Sequence, residues 1–348
     1  MKLPNASRFL SEGLMTIAIS LTAVAMSSCD SMIYDDEGDC SVHYRVSLRY
    51  VKNMLDADAF GSQVTEVNLA LYDKQGNMVL HKKEQRTPTT DNNYYIEVDV
   101  KPGIYDIIAW CEGKSIIQDA VSFSLAGQDY GTLRQSGASL PLQDGPDGKF
   151  SGKDINRLYH GIERDVKFID SYGVVNIDPV YLTKDTNHLT VSLQNVDGSE
   201  IDPSIISFEL EGKNSELNWN NSLVGNTGFK YIPWSLVPTS TIAGTETKAD
   251  PVTNGVKAEL TTGRIMADVE QYLTVRRTDT DETIFRIPLV EYLMLVRNEY
   301  QQATSNQDYL DRYDDFTMVF FLQDGYTWIK SRILINGWRR VPPQNGNL

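Results

Sequence analysis

The chain has 348 residues and a formal net charge of −15. That acidity excludes the concentrated Lys and Arg surface a nucleic-acid binder needs, and it sets the chain against anionic lipid head groups. The length exceeds what a single hydrophobic core usually fills, so two domains are expected.

Lys2 and Arg8 precede an uncharged, mostly apolar run from Leu14 to Met26, and Ser27-Ser28-Cys29 follows. Residues 1–28 therefore read as a lipoprotein signal peptide. The run is shorter than the roughly 20 residues a spanning helix needs. Cys29 is expected to become the first residue of the mature chain and to carry lipid; an ordinary signal peptide with a spare thiol is the alternative. No later segment reaches spanning length, so membrane attachment would come from lipid. Residues 29–41 form an acidic linker (Asp30 to Asp39 reads DSMIYDDEGD) that would hold the following domain off the membrane. Removing residues 1–28 takes away two cations and one anion, which brings the charge to −16. With Cys29 lipidated, Cys40 and Cys111 remain. Two thiols in an oxidising compartment point to one disulfide, with two buried free thiols as the alternative. Its loop of about 70 residues would contribute about 4 kcal/mol in the chain-entropy model.

From residue 42 the chain reads as strands between turns. Val42, Tyr44, Val46, Leu48 and Tyr50 alternate with polar residues, the period of a half-buried strand. Asp56 to Phe60 could form one helical turn. Val64 to Tyr72 alternates again, Gln75-Gly76-Asn77 turns the chain, and Met78 starts the returning strand. Tyr94 to Val100, a Pro102-Gly103 turn and the apolar run from Ile104 to Cys111 complete a hairpin. Gly127 to Asp154 holds six glycines and two prolines and reads as a long surface excursion. Strand character returns at Leu158 to Phe168 and Val174 to Leu182. A domain boundary is placed near Val180, giving sandwiches over 42–179 and 180–348. In the second, His188 to Gln194, Ile205 to Leu210, Val256 to Leu260, Gln271 to Arg276 and Thr283 to Pro288 read as strands. Leu289 to Tyr300 has one apolar face at helical spacing, and Asp308 to Tyr313 is a second helical turn. Thr317 to Leu322 and Trp328 to Trp338 look like a closing hairpin. The fold class is mainly β, with short helices as local additions.

Catalytic patterns do not stand out. His43, His81, His160 and His188 lie too far apart for a zinc pair, and there is no nucleophile elbow or Cys-x-x-Cys. Gly148 to Asp154 has a P-loop flavour but ends in Asp where the Mg²⁺-binding hydroxyl belongs. Asp144, Asp147 and Asp154, and separately Asp279, Asp281 and Glu282, lack EF-hand spacing; solvated loop carboxylates are the plain reading. No cofactor, metal or small-molecule substrate is expected. Trp219 and Trp234, in the least regular part of the second half, could form a ligand platform, but core or loop packing is the simpler expectation.

A series of short segments carries a resemblance. Tyr34-Asp35-Asp36 and Asp39-Cys40 are followed by Asp58-Ala59-Phe60, Ala109-Trp110-Cys111, Leu158-Tyr159-His160-Gly161 and Leu182-Thr183-Lys184-Asp185-Thr186-Asn187. Ile287-Pro288-Leu289, Tyr309-Leu310-Asp311-Arg312, Phe316 to Phe321 and Ile335-Asn336-Gly337-Trp338 complete it. In this order they resemble the FimB-type fimbrial anchor lipoproteins of Bacteroidetes-type (type V) fimbriae, over about residues 25 to 340. The acidic stretch after Cys29 is similar to signals that send such lipoproteins to the outer leaflet. The resemblance implies two transthyretin-like β-sandwich domains, a place in the outer membrane at the fimbrial base, and the major shaft subunit as partner, joined by strand addition. It also implies a limit on fimbrial length. Shaft subunits of this kind lose an N-terminal segment to a protease and donate a C-terminal strand. Here the tail after Trp338, rich in Pro, Asn and Gly, is a poor strand. A tip or accessory adhesin on the same fold, and a surface glycan-binding or glycan-processing lipoprotein, are the alternatives.

Overall fold

A computed structural model describes residues 42–55, 57–128, 131–225, 227–239, 254–297, 304–323 and 326–340. Cys29 and Cys40 lie outside these residues. The described chain is mainly β. Its first part contains β1 (Val42–Arg49), β2 (Glu66–Tyr72), β3 (Met78–Gln85), β4 (Tyr95–Val98) and β5 (Gly103–Gly113). Short strands follow: β6 (Ser124–Ala126), β7 (Gly137–Ser139), β8 (Gln143–Gly145) and β9 (Gly148–Ser151). Then come β10 (Arg157–Phe168), β11 (Gly173–Tyr181), β12 (Thr183–Lys184), β13 (Thr186–Asn195), β14 (Ile206–Gly212), β15 (Glu216–Asn218) and β16 (Phe229–Tyr231). The remainder are β17 (Ser235–Thr239), β18 (Gly255–Gly263), β19 (Tyr272–Arg277), β20 (Thr283–Pro288), β21 (Asp315–Gln323), β22 (Thr327–Ile335) and β23 (Trp338–Arg340). Helices are short: α1 (Phe60–Gln63), α2 (Leu289–Met294) and α3 (Asn306–Arg312). Among the described residues no helix is long and apolar enough to cross a membrane.

The alternation along β1 puts Tyr44, Val46 and Leu48 wholly inside, with Tyr50 just beyond the strand equally buried. They face Val67, Leu69 and Leu71 of β2 and Ile107, Ala109 and Cys111 of β5, the inward set of the opposite sheet. Rings lock the two layers together. Tyr44 meets Phe168 edge-on at 4.9 Å, and Tyr50 meets Tyr159 at 5.1 Å. One layer has the order β11-β1-β4 and the other β12-β10-β5-β2-β3. The second layer is buried on its far face too. Ala70, Tyr72, Ile108, Trp110 and Leu158 pack there under Leu133, Ala138 and Leu140, which is why β2 and β5 read as nearly continuous apolar runs rather than strict alternation.

Leu133, Ala138 and Leu140 belong to the glycine-rich stretch expected to be a surface excursion. The turns are present, but the residues between them are core. The reason is the indole of Trp110, whose N–H finds Ser136 Oγ at 3.0 Å, so the stretch folds onto the sheet instead of away from it. It also reaches the second half of the chain. β7 pairs with β15 (Ala138 opposite Leu217), and β9 runs parallel to β16 (Phe150 opposite Lys230).

In the second half, β17-β18-β13-β21-β22-β23 faces β20-β19-β14-β16-β9-β8. Phe285 of β20 stacks on Phe320 of β21 at 4.2 Å and leans on Trp328 of β22 at 5.2 Å. β13 and β21 are parallel, Leu189 opposite Phe316, although most pairings are antiparallel. Across the boundary expected near Val180, β7 pairs with β15, β9 with β16 and β12 with β10. By backbone proximity, residues 44–169 and 176–348 group as one compact unit, and residues 42–43 and 170–175 as another. The helix expected over Leu289 to Tyr300 is shorter in its described part. α2 ends at Met294 and tightens, with Leu295 N bonded to Tyr292 O and Arg297 N to Met294 O.

Candidate functional site: the first strand and the joint behind it

β1 is an internal strand. Tyr44, Arg45, Val46 and Ser47 sit opposite Val98, Glu97, Ile96 and Tyr95 of β4, and β11 occupies the other side. Its outward arginines are both engaged. Arg45 donates from Nε and one Nη to Glu97 Oε1 at 3.0 and 2.9 Å, and its guanidinium lies 4.2 Å over the Tyr95 ring. Arg49 donates to Asp58 Oδ2 at 2.8 Å, while Asp58 Oδ1 accepts the amides of Tyr50 and Phe60, each at 3.0 Å. Asn53 closes the turn after the strand by donating to the carbonyls of Tyr50 and Ala57, both at 2.8 Å. The helical turn expected at Asp56 to Phe60 lies later, as α1 from Phe60, after an Asx turn in which Asp58 accepts the Phe60 amide.

Behind β1 lies a joint of buried charges. Lys52 donates to Asp311 of α3 at 2.7 Å. Arg264, just past β18, grips the same carboxylate through two bonds of 2.8 Å and donates to the carbonyl of Asn221 at 2.8 Å. Asn221, in the turn after β15, donates through its side-chain amide to Asp185 Oδ1 at 2.8 Å. Asp185 is wholly buried between β12 and β13. Gln307 ties α3 in from the other end, donating to Asp311 at 2.8 Å and to the carbonyl of Ile265 at 3.1 Å. Next to this, Lys184 pairs with Asp314, and Asn187 donates to the carbonyl of Tyr313 at 3.1 Å. The segments Leu182 to Asn187 and Tyr309 to Arg312 therefore meet here. Lys52, Asn221 and Arg264 complete the joint with no sequence signal beyond being polar residues at strand ends.

Burial pushes the Asp185 carboxyl up to about 7, against the pull of Arg264 and the Asn221 hydrogen bond. At Asp311 burial also opposes ionisation, but the bonds from Arg264 and Lys52 outweigh it and hold the group below the usual carboxylate range. Burial lowers Lys184, with Asp314 partly restoring it. Burial likewise brings His160 down to about 4. Its Nε2–H donates to the carbonyl of Trp219 at 2.9 Å, and its ring lies 4.4 Å from that of Trp110.

Cys111 lies near the end of β5, 1% exposed, with no bonded cysteine among the described residues. It lies opposite Val67 and Tyr159. Its expected partner Cys40 and the lipidation residue Cys29 are outside the described residues. The carboxylate groups weighed as Ca²⁺ ligands stand apart. Asp154 is buried and accepts from Ser115 and Thr261, with Arg157 at 3.4 Å. Asp279 pairs with Arg277 at 2.6 Å, and Asp281 lies 3.8 Å from Arg276. Among the described residues no three His, Cys, Asp or Glu side chains group to hold a metal. Trp219 is half-buried with Arg164 5.3 Å over its ring, and Trp234 donates to Thr261 Oγ1 at 3.2 Å, so both tryptophans serve packing. What the arrangement does chemically is fix chain segments to one another.

Among curated proteins none matches the chain significantly. Solved structures do. A candidate adhesin from Bacteroides thetaiotaomicron is 28% identical, with a TM-score of 0.73 over 88% of this chain and 100% of that one. A candidate polysaccharide-binding protein from the same organism is 25% identical, with a TM-score of 0.70 over 87% and 99%. The fimbrial anchor protein Mfa2 from Porphyromonas gingivalis shares the fold at 18% identity, with a TM-score of 0.62 over 86% and 99%. Residues 36–341 match the family described as fimbrillin-A associated anchor proteins Mfa1 and Mfa2, which spans both sandwiches and the joint. The anchor resemblance read from the ordered segments is thereby met, and the chain belongs to this family of fimbrial anchor proteins.

Proposed function

We propose that this chain is the basal anchor of a fimbria. It is an outer-membrane lipoprotein acylated at Cys29, it holds the major shaft subunit by β-strand addition, and it limits fimbrial length. It works without catalysis, cofactor or small-molecule substrate. The observation that carries this reading is the state of β1. A subunit destined for strand exchange gives up its first strand, whereas here that strand is an inner one, its inward face is sealed, and Arg45 and Arg49 are both paired. Keeping β1 keeps the sandwich joined to whatever precedes residue 42. Acyl chains on Cys29 would supply membrane hold at about 0.8 kcal/mol per buried methylene, and strand addition would supply backbone hydrogen bonds and side-chain pockets for the partner. The disulfide between Cys40 and Cys111 belongs to the same proposal, as a staple between linker and β5.

The test is deletion of the gene in a fimbriated host. Long fimbriae shed into the medium are expected. Cell-bound fimbriae of normal length with adhesion lost would defeat the anchor reading. That outcome would favour an accessory adhesin, for which one feature speaks. A cleft of about 450 Å³ opens beside β2 and β3, lined by Glu66, Asn68, His81, Lys83 and Gln128 together with Phe123, Leu125 and Leu158, and a relative at 25% identity is a candidate polysaccharide binder.

A further inference from the structure

Asp185 and Asn221 carry planar groups of the same shape. One side of the pair is bonded: Asn221 Nδ2–H donates to Asp185 Oδ1 at 2.8 Å. The remaining oxygen of each group, Asp185 Oδ2 and Asn221 Oδ1, is buried, and neither has a hydrogen-bond partner among the described residues. Two oxygens in that position can only accept while the acid is ionised, so each would carry the cost of an unmade bond. A single proton removes both deficits. We infer that Asp185 is protonated in the folded protein, that its Oδ2–H donates to Asn221 Oδ1 to close a cyclic acid–amide pair, and that loss of this proton loosens the joint behind β1.

Every charged or titratable group facing Asp185 fits the inference. Arg264 approaches it, but only to 3.8 Å, because its two short bonds are spent on Asp311. Asp311 on α3 repels a charge on Asp185, and Lys52, beyond β1, is already bonded to Asp311 at 2.7 Å. Tyr50, just past β1, stays neutral, pushed up first by burial and then by Asp314 and Asp311. Lys184, one residue away, is taken by Asp314. Arg264 and Lys52 spend their short bonds on Asp311, and Lys184 spends its own on Asp314, so none of the three is bonded to Asp185 at short range. Once ionised, Asp185 competes with Asp311 for Arg264, and Lys52 is left holding α3 with a weakened partner. Asn221 holds its place with φ of 63°, a left-handed backbone that Asn tolerates and that its packing must maintain.

The direction with pH follows. A carboxyl raised to about 7 in the folded chain binds a proton there between about pH 4 and 7 that the unfolded chain has released. Its contribution is therefore largest in mild acid, and stability falls as pH rises through that window. The full chain carrying Asp185→Asn replaces the protonated acid with an amide that can donate to Asn221 Oδ1 at any pH. In urea, the variant's unfolding midpoint is expected to match wild type near pH 5 and to exceed it near pH 8.5, with slower hydrogen exchange over residues 50–58 at the higher pH. A variant less stable than wild type at pH 8.5 means that Asp185 is ionised and paired with Arg264, and overturns the inference. Should the variant fail to fold, infrared spectra of the full chain carrying Glu163→Gln decide, because Glu163 is also raised by burial. A protonated-carboxyl band present near pH 6 and gone near pH 9 upholds the pair; its absence near pH 6 rejects it.

Discussion

His160 is a buried imidazole with a fixed partner, and its neutral form is the one the fold accepts. A folded pKa of about 4 against 6.5 unfolded means that the unfolded chain takes up a proton first as the medium is acidified. Stability is therefore lost as pH falls from about 6.5 to 4, by about 3 kcal/mol in total. His160→Gln keeps a donor for the Trp219 carbonyl and should flatten the acid limb of a urea-midpoint profile; an unchanged limb would place the loss elsewhere. Asp311→Ala makes the opposite kind of error. It strands Arg264 and Lys52 with no carboxylate between them, and a broken buried pair costs about 3–5 kcal/mol, measurable by equilibrium denaturation. Gly161 marks a third residue-scale limit. A β-carbon there would come within 2.7 Å of Val180 Cγ1 and 2.9 Å of the Tyr181 carbonyl. Gly161→Ala should cost about 1–3 kcal/mol through overpacking. Sequence showed Lys184, Asp185 and Asp311 only as members of ordered segments. Their joint was not legible, because charges that meet across more than a hundred residues leave no periodic trace.

Elements were legible where one face is buried and the other is not. The alternation of β1 gave its limits to within two residues, and Tyr44, Val46 and Leu48 proved to be the inward set. Between Gly127 and Asp154 the glycine and proline signals were sound as turns, yet they hid β7 to β9, because strands of three or four residues are too short to show a period. β12, β15 and β16 were missed for the same reason, and Pro238 disguises the five-residue β17. The paired state of Arg45 and Arg49 leads to a prediction at this scale. Trypsin added to the folded protein should leave β1 whole, since a protease must first lift the strand out of its sheet. N-terminal sequencing of early products should find no chain starting at Val46 or Tyr50. Early cleavage at either would show a loose strand and remove the main support for the anchor reading.

At the scale of the molecule, the two facing-sheet pairs are tied by strands that cross between them. β9 completes the sheet of β16, β7 holds β15, and β12 returns to β10. A fragment of residues 180–348 would lose β8 and β9 and expose the edge of β16. It is expected to remain unfolded or to aggregate when expressed alone. The intact chain should unfold in one calorimetric transition, with van't Hoff and calorimetric enthalpies in agreement; two resolved transitions would show independent domains. Fold class and the style of both halves were legible in the sequence. Their interlocking was not, because it depends on which edge a three-residue strand finds.

The inner position of β1 has a mechanical consequence. Tension applied at the start of the strand acts along its length, while its hydrogen bonds to β4 lie across that direction. Tyr44 through Ser47 would have to give way together, in shear, and the Arg45–Glu97 and Arg49–Asp58 pairs would resist the same slip. A strand peeled from a free edge breaks one bond at a time. A tether drawn through the centre of a sheet shares its load over every bond at once, so a chain entering its fold this way is built to be pulled.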